Sequence, residues 1–173
     1  SGDVKNIGDK FMNYNKSLTN IDLPLVEKIG YEFLYFNKSL KNINLPLVKS
    51  VADEFLYSNE SLKSIDLPLV QVIGEKFMRM NESLENVNLP YVSIIGPDFL
   101  KNVENLKTID LPSVEIVGSN FLYFNKYLEN INLPNLKVIL NDFLYYNLSL
   151  KNINLPLVNN IGNDFLTYNE NME

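Results

Sequence analysis

Apolar residues return along this chain at fixed places in a 22-residue period, and seven of the eight prolines, from Pro24 to Pro156, keep that spacing without an insertion or deletion. One column is leucine in every turn, from Leu18 and Leu40 through to Leu150. Three residues later comes Ile or Val (Ile21, Ile43, Val87), and two further on a second leucine that meets the proline (Leu23, Leu45). Val26 and Ile29 and their successors follow, then a phenylalanine column from Phe11 to Phe165 with Leu or Met beside it. Seven positions per turn are therefore expected to face inward. A fixed period of this length marks a solenoid in which each turn buries its apolar side against the next.

The segment Leu-x-x-Ile-x-Leu is short, β-branched and alternating, so it predicts a strand, and the proline closes it because proline cannot donate to a ladder. One short parallel strand per turn is expected. The phenylalanine segment, as in Glu32-Phe33-Leu34-Tyr35, is too short for a helix and predicts a loop or a 3₁₀ turn on the opposite side. A glycine column (Gly8, Gly30, Gly74) also admits Ala52 and Leu140, which argues against a left-handed backbone there. The fold class expected is a β-dominated repeat solenoid. A curved body and a straight rod both fit the letters.

One inward column is polar: Asn15, Asn37, Asn59, Asn81, Asn125, Asn147 and Asn169, with Val103 as its exception. A buried asparagine can satisfy loop amides and carbonyls that no strand pairs, so the column predicts an asparagine ladder. At Val103 the loop is expected to rearrange, with Asn102 or Asn105 standing in. Five of these residues (15, 37, 59, 81 and 147) sit in Asn-x-Ser sequons. A glycan on each would break the repeat, so the sequons are read as structure.

These columns resemble the BspA-type leucine-rich repeat. The segment from Ser39 to Glu60 runs L-x-x-I-x-L-P, then V-x-x-(I/V)-(G/A), then an apolar pair and Asn, in the family's order and spacing. The turns here are slightly shorter than is usual in the family, and Asn stands where Cys is common. The resemblance implies a right-handed leucine-rich-repeat superhelix, displayed on a bacterial or protozoan surface or secreted. It also implies adhesion to host proteins or to neighbouring cells.

Composition narrows the chemistry. With no Cys and no His, the chain lacks thiolates and the commonest general base and metal ligand, so no enzyme, metal or other cofactor is expected. A net charge of −6 with lysines spread along the repeat argues against nucleic acid. No run of about 18 apolar residues could cross a membrane. Residues 1–173 read as one leucine-rich-repeat domain of about eight turns, cut in mid-repeat at both ends and taken from a longer array. Its uncapped ends predict fraying or end-to-end self-association.

Function should lie on outward columns. Asp22, Asn44, Asp66, Asn88 and Asp110 alternate a carboxylate with its neutral isostere, which separates like charges, while the neighbouring lysine column predicts weak pairing with these aspartates. A column after the Phe-Leu pair carries Tyr35, Tyr57, Arg79, Lys101, Tyr123 and Tyr145, beside Tyr14, Phe36, Phe124, Tyr146 and Tyr168. Tyr and Arg are enriched at the energetic centres of interfaces, so this strip is the expected site for a protein partner, although tyrosines stacked as a shield would give the same letters. An aliphatic run, Val72, Ile94, Ile116 and Val138, reads either as a second patch or as a wider core. A binding module is the leading expectation, and a structural spacer or self-associating array is the alternative.

Overall fold

In a computed structural model, which describes residues 3–172, the chain is a solenoid of stacked turns built from parallel strands, with no helix among the described residues. Each turn contributes two strands where the repeat predicted one. The expected strand is present at Asn20–Asp22, Asn42–Asn44, Ser64–Asp66, Asn86–Asn88, Thr108–Asp110, Asn130–Asn132 and Asn152–Asn154. A second, of two residues, follows the proline at Lys28–Ile29 and recurs in register from Asn6–Ile7 to Asn160–Ile161. These two-residue strands form the one continuous sheet, eight strands wide, whereas the longer strands fall into sheets of two, two and three.

The interior is the stack of inward columns. In a central turn Leu62, Ile65, Leu67, Val70, Ile73, Phe77 and Met78 are all essentially inaccessible to water. The phenylalanines stack face to face along the whole body, with centroid separations between 5.2 and 5.8 Å. Stacking adds specificity to their large apolar area.

Breaks in the longer-strand sheet follow from one column of side chains. The Asn44 amide donates to the Asp22 carboxylate at 2.8 Å, Asn88 to Asp66 at 2.8 Å, Asn132 to Asp110 at 2.8 Å, and Asn154 to Asn132 at 2.7 Å. Every bond runs from a later turn to an earlier one. Where the later residue is an aspartate, as in Asn44 to Asp66 and Asn88 to Asp110, it has no proton to pass back. The backbone parts at the same two places. Leu23, Leu67, Leu111 and Leu133 donate their N–H to the next turn, while Leu45 and Leu89 make no such bond. The aspartates are thus taken by asparagine amides. The lysines pair instead with glutamates of their own column, Lys63 with Glu85 at 3.1 Å and Lys151 with Glu129 at 3.0 Å.

The third side of each turn holds no 3₁₀ piece. Glu32, Leu34 and Phe36 have φ of 51°, 53° and 56°, and the same three places are left-handed in every turn. Left-handed backbone at residues with a Cβ is costly. Each of the three turns its N–H to a neighbouring turn: Glu32 donates to Asp53 O at 2.9 Å, Leu34 to Phe11 O at 3.0 Å, and Phe36 to Tyr57 O at 2.9 Å. Glycine supplies none of these positions. Its column serves close approach, since a Cβ on Gly118 would lie 2.4 Å from the Pro97 nitrogen.

The asparagine ladder is formed. Asn59 donates to Leu34 O at 2.9 Å, Asn125 to Leu100 O at 2.9 Å and Asn147 to Leu122 O at 3.0 Å, each reaching the left-handed leucine of the preceding turn. The Oδ1 of Asn37, Asn125 and Asn147 accepts the N–H of the ladder residue one turn earlier, Asn15, Val103 and Asn125 in turn. Serines of the sequons also bridge turns, with Ser39 and Ser61 donating to carbonyls of the preceding turn at 2.6 Å. Around Val103 the loop keeps the geometry of its neighbours, contrary to expectation, and Val103 is fully buried. Neither Asn102 nor Asn105 substitutes. Asn81 instead donates both to Leu56 O at 2.7 Å and to Met78 O at 2.8 Å in its own turn.

Candidate binding surface

The six residues of the expected strip lie in one column on the left-handed side of the solenoid, all half-buried. They are not one continuous surface. Tyr35 and Tyr57 stack at 4.8 Å with their planes 25° apart, and Tyr123 and Tyr145 at 4.8 Å and 3°. Between the two stacks stand the cations. Arg79 lies 5.8 Å from the Tyr57 ring centre and Lys101 lies 4.4 Å from that of Tyr123. Both reach Asp98, at 3.1 and 3.6 Å. Sequence reasoning missed Asp98, which sits in a column of mixed Lys, Glu, Asp and Asn that gives no single signal.

Burial raises the Tyr35 and Tyr145 phenols above the ordinary tyrosine value, with neighbouring carboxylates and tyrosines adding to it. Those hydroxyls stay neutral donors well past neutral pH. The parallel column is the more accessible part: Tyr14, Phe124 and Tyr168 are 65, 38 and 56% exposed. Phe124 stacks on Tyr146 at 4.5 Å, and Tyr14 on Phe36 at 5.7 Å. The flank is thus two rigid aromatic ledges joined by an Arg-Asp-Lys bridge, in which one carboxylate is shared by two cations. Rigid rings with few free rotamers lose little entropy when a partner lands on them.

A second surface lies on the outer face of the continuous sheet. Val72, Ile94 and Ile116 are 43, 44 and 46% exposed, and Val138 is half-buried beside them. They are in register as direct neighbours, Val72 with Ile94, Ile94 with Ile116 and Ile116 with Val138. The run is therefore a solvent-facing stripe and not an extension of the core. A further apolar column just after the proline, Leu25, Leu47, Leu69 and Tyr91, borders it and is exposed as well. Its turnover to Ser113 and Asn135 in later turns was the signal in the sequence that it faces water.

No curated protein sequence matches the chain. Among solved structures it is similar to a leucine-rich repeat protein of T. pallidum, with 18% identity and a TM-score of 0.60 over 92% of this chain and 66% of that one. A leucine-rich repeat protein from Bacteroides ovatus aligns with 19% identity and a TM-score of 0.37, over 90% of this chain and 65% of that one. The chain thus spans about two thirds of the length of either. A family model for the BspA type leucine-rich repeat region matches six copies over residues 1–63 and 49–173. With its proline-closed strand, its apolar columns and its asparagine ladder all present in the fold, the chain belongs to the BspA-type leucine-rich repeat family.

Proposed function

We propose that this chain is a non-catalytic recognition module, displayed on a cell surface or secreted, that binds a protein partner through the aromatic flank of its solenoid. The observation that carries the reading is the pair of stacked ledges on one side, Tyr14 to Tyr57 and Tyr123 to Tyr168, built of the residue types that dominate interface energetics. Membership of a repeat family that serves as a scaffold for interaction surfaces supports it. Surface or secreted placement rests on the family alone.

The test is a binding screen of immobilised chain against host-cell-surface and extracellular-matrix proteins. It is run beside a variant carrying Tyr35→Ser, Tyr57→Ser, Tyr123→Ser and Tyr145→Ser, and a second carrying only the exposed changes Tyr14→Ser, Phe124→Ser and Tyr168→Ser. A partner held by the parent and lost by both folded variants is the expected result. Binding untouched by either variant, or no binding in the screen, removes the flank as the site. A structural, self-associating array is a second reading, and the exposed aliphatic stripe favours it.

A further inference from the structure

We infer that the outer face of the continuous sheet is a homodimer interface, in which a second copy of this chain packs sheet to sheet with its solenoid axis reversed. This inference rests on the sheet face and is independent of the aromatic flank, which lies on another side of the turn.

Three observations select a second copy as the occupant. The first is register. Read along the solenoid the outward column is Asn6, Lys28, Ser50, Val72, Ile94, Ile116, Val138, Asn160, and the stretch from Ser50 to Asn160 is the part a second copy covers. A two-fold axis along the strand direction, placed between Ile94 and Ile116, sets Val72 against Val138 and Ile94 against Ile116 of the other copy. Polar Ser50 then meets Asn160. The sequence of the stripe is its own complement under that operator, as an isologous contact requires. In the post-proline column the same operator puts Leu47 opposite Leu157, both exposed, and sets Leu69 against Asn135 and Tyr91 against Ser113, so that column meets apolar to apolar only at the ends of the contact.

The second is charge. A chain with net charge −6 repels its own copies in general. The acids are concentrated on the left-handed side, where the columns of Asp9 and Lys10 hold eight acids against two lysines. On the sheet face, Lys5, Lys28, Lys49 and Lys137 stand against Glu27 and Glu115, and two ion pairs close within the face, Lys49 with Glu27 at 2.6 Å and Lys137 with Glu115 at 2.7 Å. Under the two-fold operator Glu115 faces Ser93, Lys137 faces Gln71 and Lys49 faces Asn159, so no like charges are opposed. This is the side on which two copies can approach.

The third is area. Under this operator the six strands from Ser50 to Asn160 overlap, five spacings of about 4.8 Å or about 24 Å, and with a width of about 17 Å they offer roughly 400 Å² per copy. That falls below the roughly 800 Å² per partner of a standard interface, so the dimer is weak and reversible.

The chain contains no cysteine, so engineered thiols report the geometry without background. In the reversed arrangement a Val72→Cys chain sits opposite a Val138→Cys chain across the sheet separation of about 10 Å, too far for a disulfide but within reach of a short bismaleimide, while two Val72→Cys chains are offset by a further three turns, about 14 Å along the axis. Mixed and treated with a short bismaleimide, the two variants should cross-link at least about tenfold faster than either alone, in proportion to the encounter geometry. Sedimentation of the parent should show a monomer-dimer equilibrium that shifts as concentration rises about a hundredfold. The double substitution Ile94→Lys, Ile116→Lys should leave a folded monomer over that range. Equal cross-linking of the mixed and single variants, a parent monomeric throughout, or a dimer that survives the double substitution each overturns the inference. End-to-end polymerisation would show as the last of these, since the stripe lies away from the terminal turns.

Discussion

At the scale of single residues, the fold depends on an amide placed where nothing else can satisfy the backbone. Asn147 donates to the left-handed Leu122 of the preceding turn and accepts the N–H of Asn125, the ladder residue of that same turn. Asn147→Leu keeps the branched shape in a somewhat larger side chain and removes both bonds, leaving two buried backbone groups bare. Each such group costs about 1–3 kcal/mol, so the melting temperature should fall by at least about 4 °C. Val103 offers the reverse experiment. An asparagine there would give Met78 O its missing inter-turn donor and free Asn81 from serving two carbonyls. Val103→Asn should raise the melting temperature by about 2–4 °C, the effect of about one hydrogen bond in a chain of this size, and a fall would show that the valine's packing outweighs the ladder. The ladder was legible because a polar residue that recurs inside an apolar repeat has to be satisfied. The double duty of Asn81 was not, since it depends on a bond length that no column of letters carries.

At the scale of elements, the solenoid is three strips held with different continuity. The short-strand sheet is unbroken, whereas the longer-strand sheet opens after Asn44 and after Asn88, where an aspartate cannot pass the amide chain onward. Amide exchange should therefore be faster at Leu45 and Leu89 than at Leu23, Leu67 and Leu111, whose N–H groups are bonded to the next turn. Asp66→Asn and Asp110→Asn supply the missing donors and should slow exchange at Leu45 and Leu89 respectively. Unchanged exchange would mean that the break is set by the backbone and not by the carboxylate. The strand before the proline, the inward columns and the solenoid itself could all be read from periodicity. The two-residue strands could not, because alternation needs more than two positions to be seen. Adjacent β-branched pairs such as Val72-Ile73 and Ile94-Ile95 were their only trace. The left-handed strip carries no signature either, since Leu34 and Phe36 are residues that local preference keeps out of that region. Inter-turn hydrogen bonds impose it, and those exist only once the neighbouring turns are in place.

At the scale of the whole molecule, charge is arranged by side, and its response to pH follows from which groups have partners. The aromatic column and the aliphatic stripe were visible as letters, but which of them is a continuous surface was decided by three dimensions. The Arg79-Asp98-Lys101 bridge divides the first, and strand register joins the second. Glu27 is held below the ordinary carboxylate value first by its hydrogen bond to Lys49, and Glu129 likewise by Lys151. A carboxyl lowered by folding contributes stability above its unfolded value, about 4.3, and loses it as pH falls through the folded one. Lys76 and Lys126 are raised by hydrogen bonds to Glu54 and Glu104, and Tyr35 and Tyr145 are raised by burial. For all four, folding favours the protonated form, so their contribution is full below the unfolded values near about 10 and is lost as pH rises past them. With no histidine or cysteine, no side chain type has an ordinary value between about pH 5 and about pH 9. Melting temperature should therefore be flat across that interval and decline on both sides, gently, because these pairs are at the surface where solvent screens them. The alkaline decline should weaken in a Tyr35→Phe, Tyr145→Phe variant, which keeps the stacked rings and removes the ionisable hydroxyls. A slope between about pH 5 and about pH 9 would require a group outside these pairs to change its protonation on folding, and an alkaline limb unmoved by the double phenylalanine variant would assign that limb to the lysine-glutamate pairs alone.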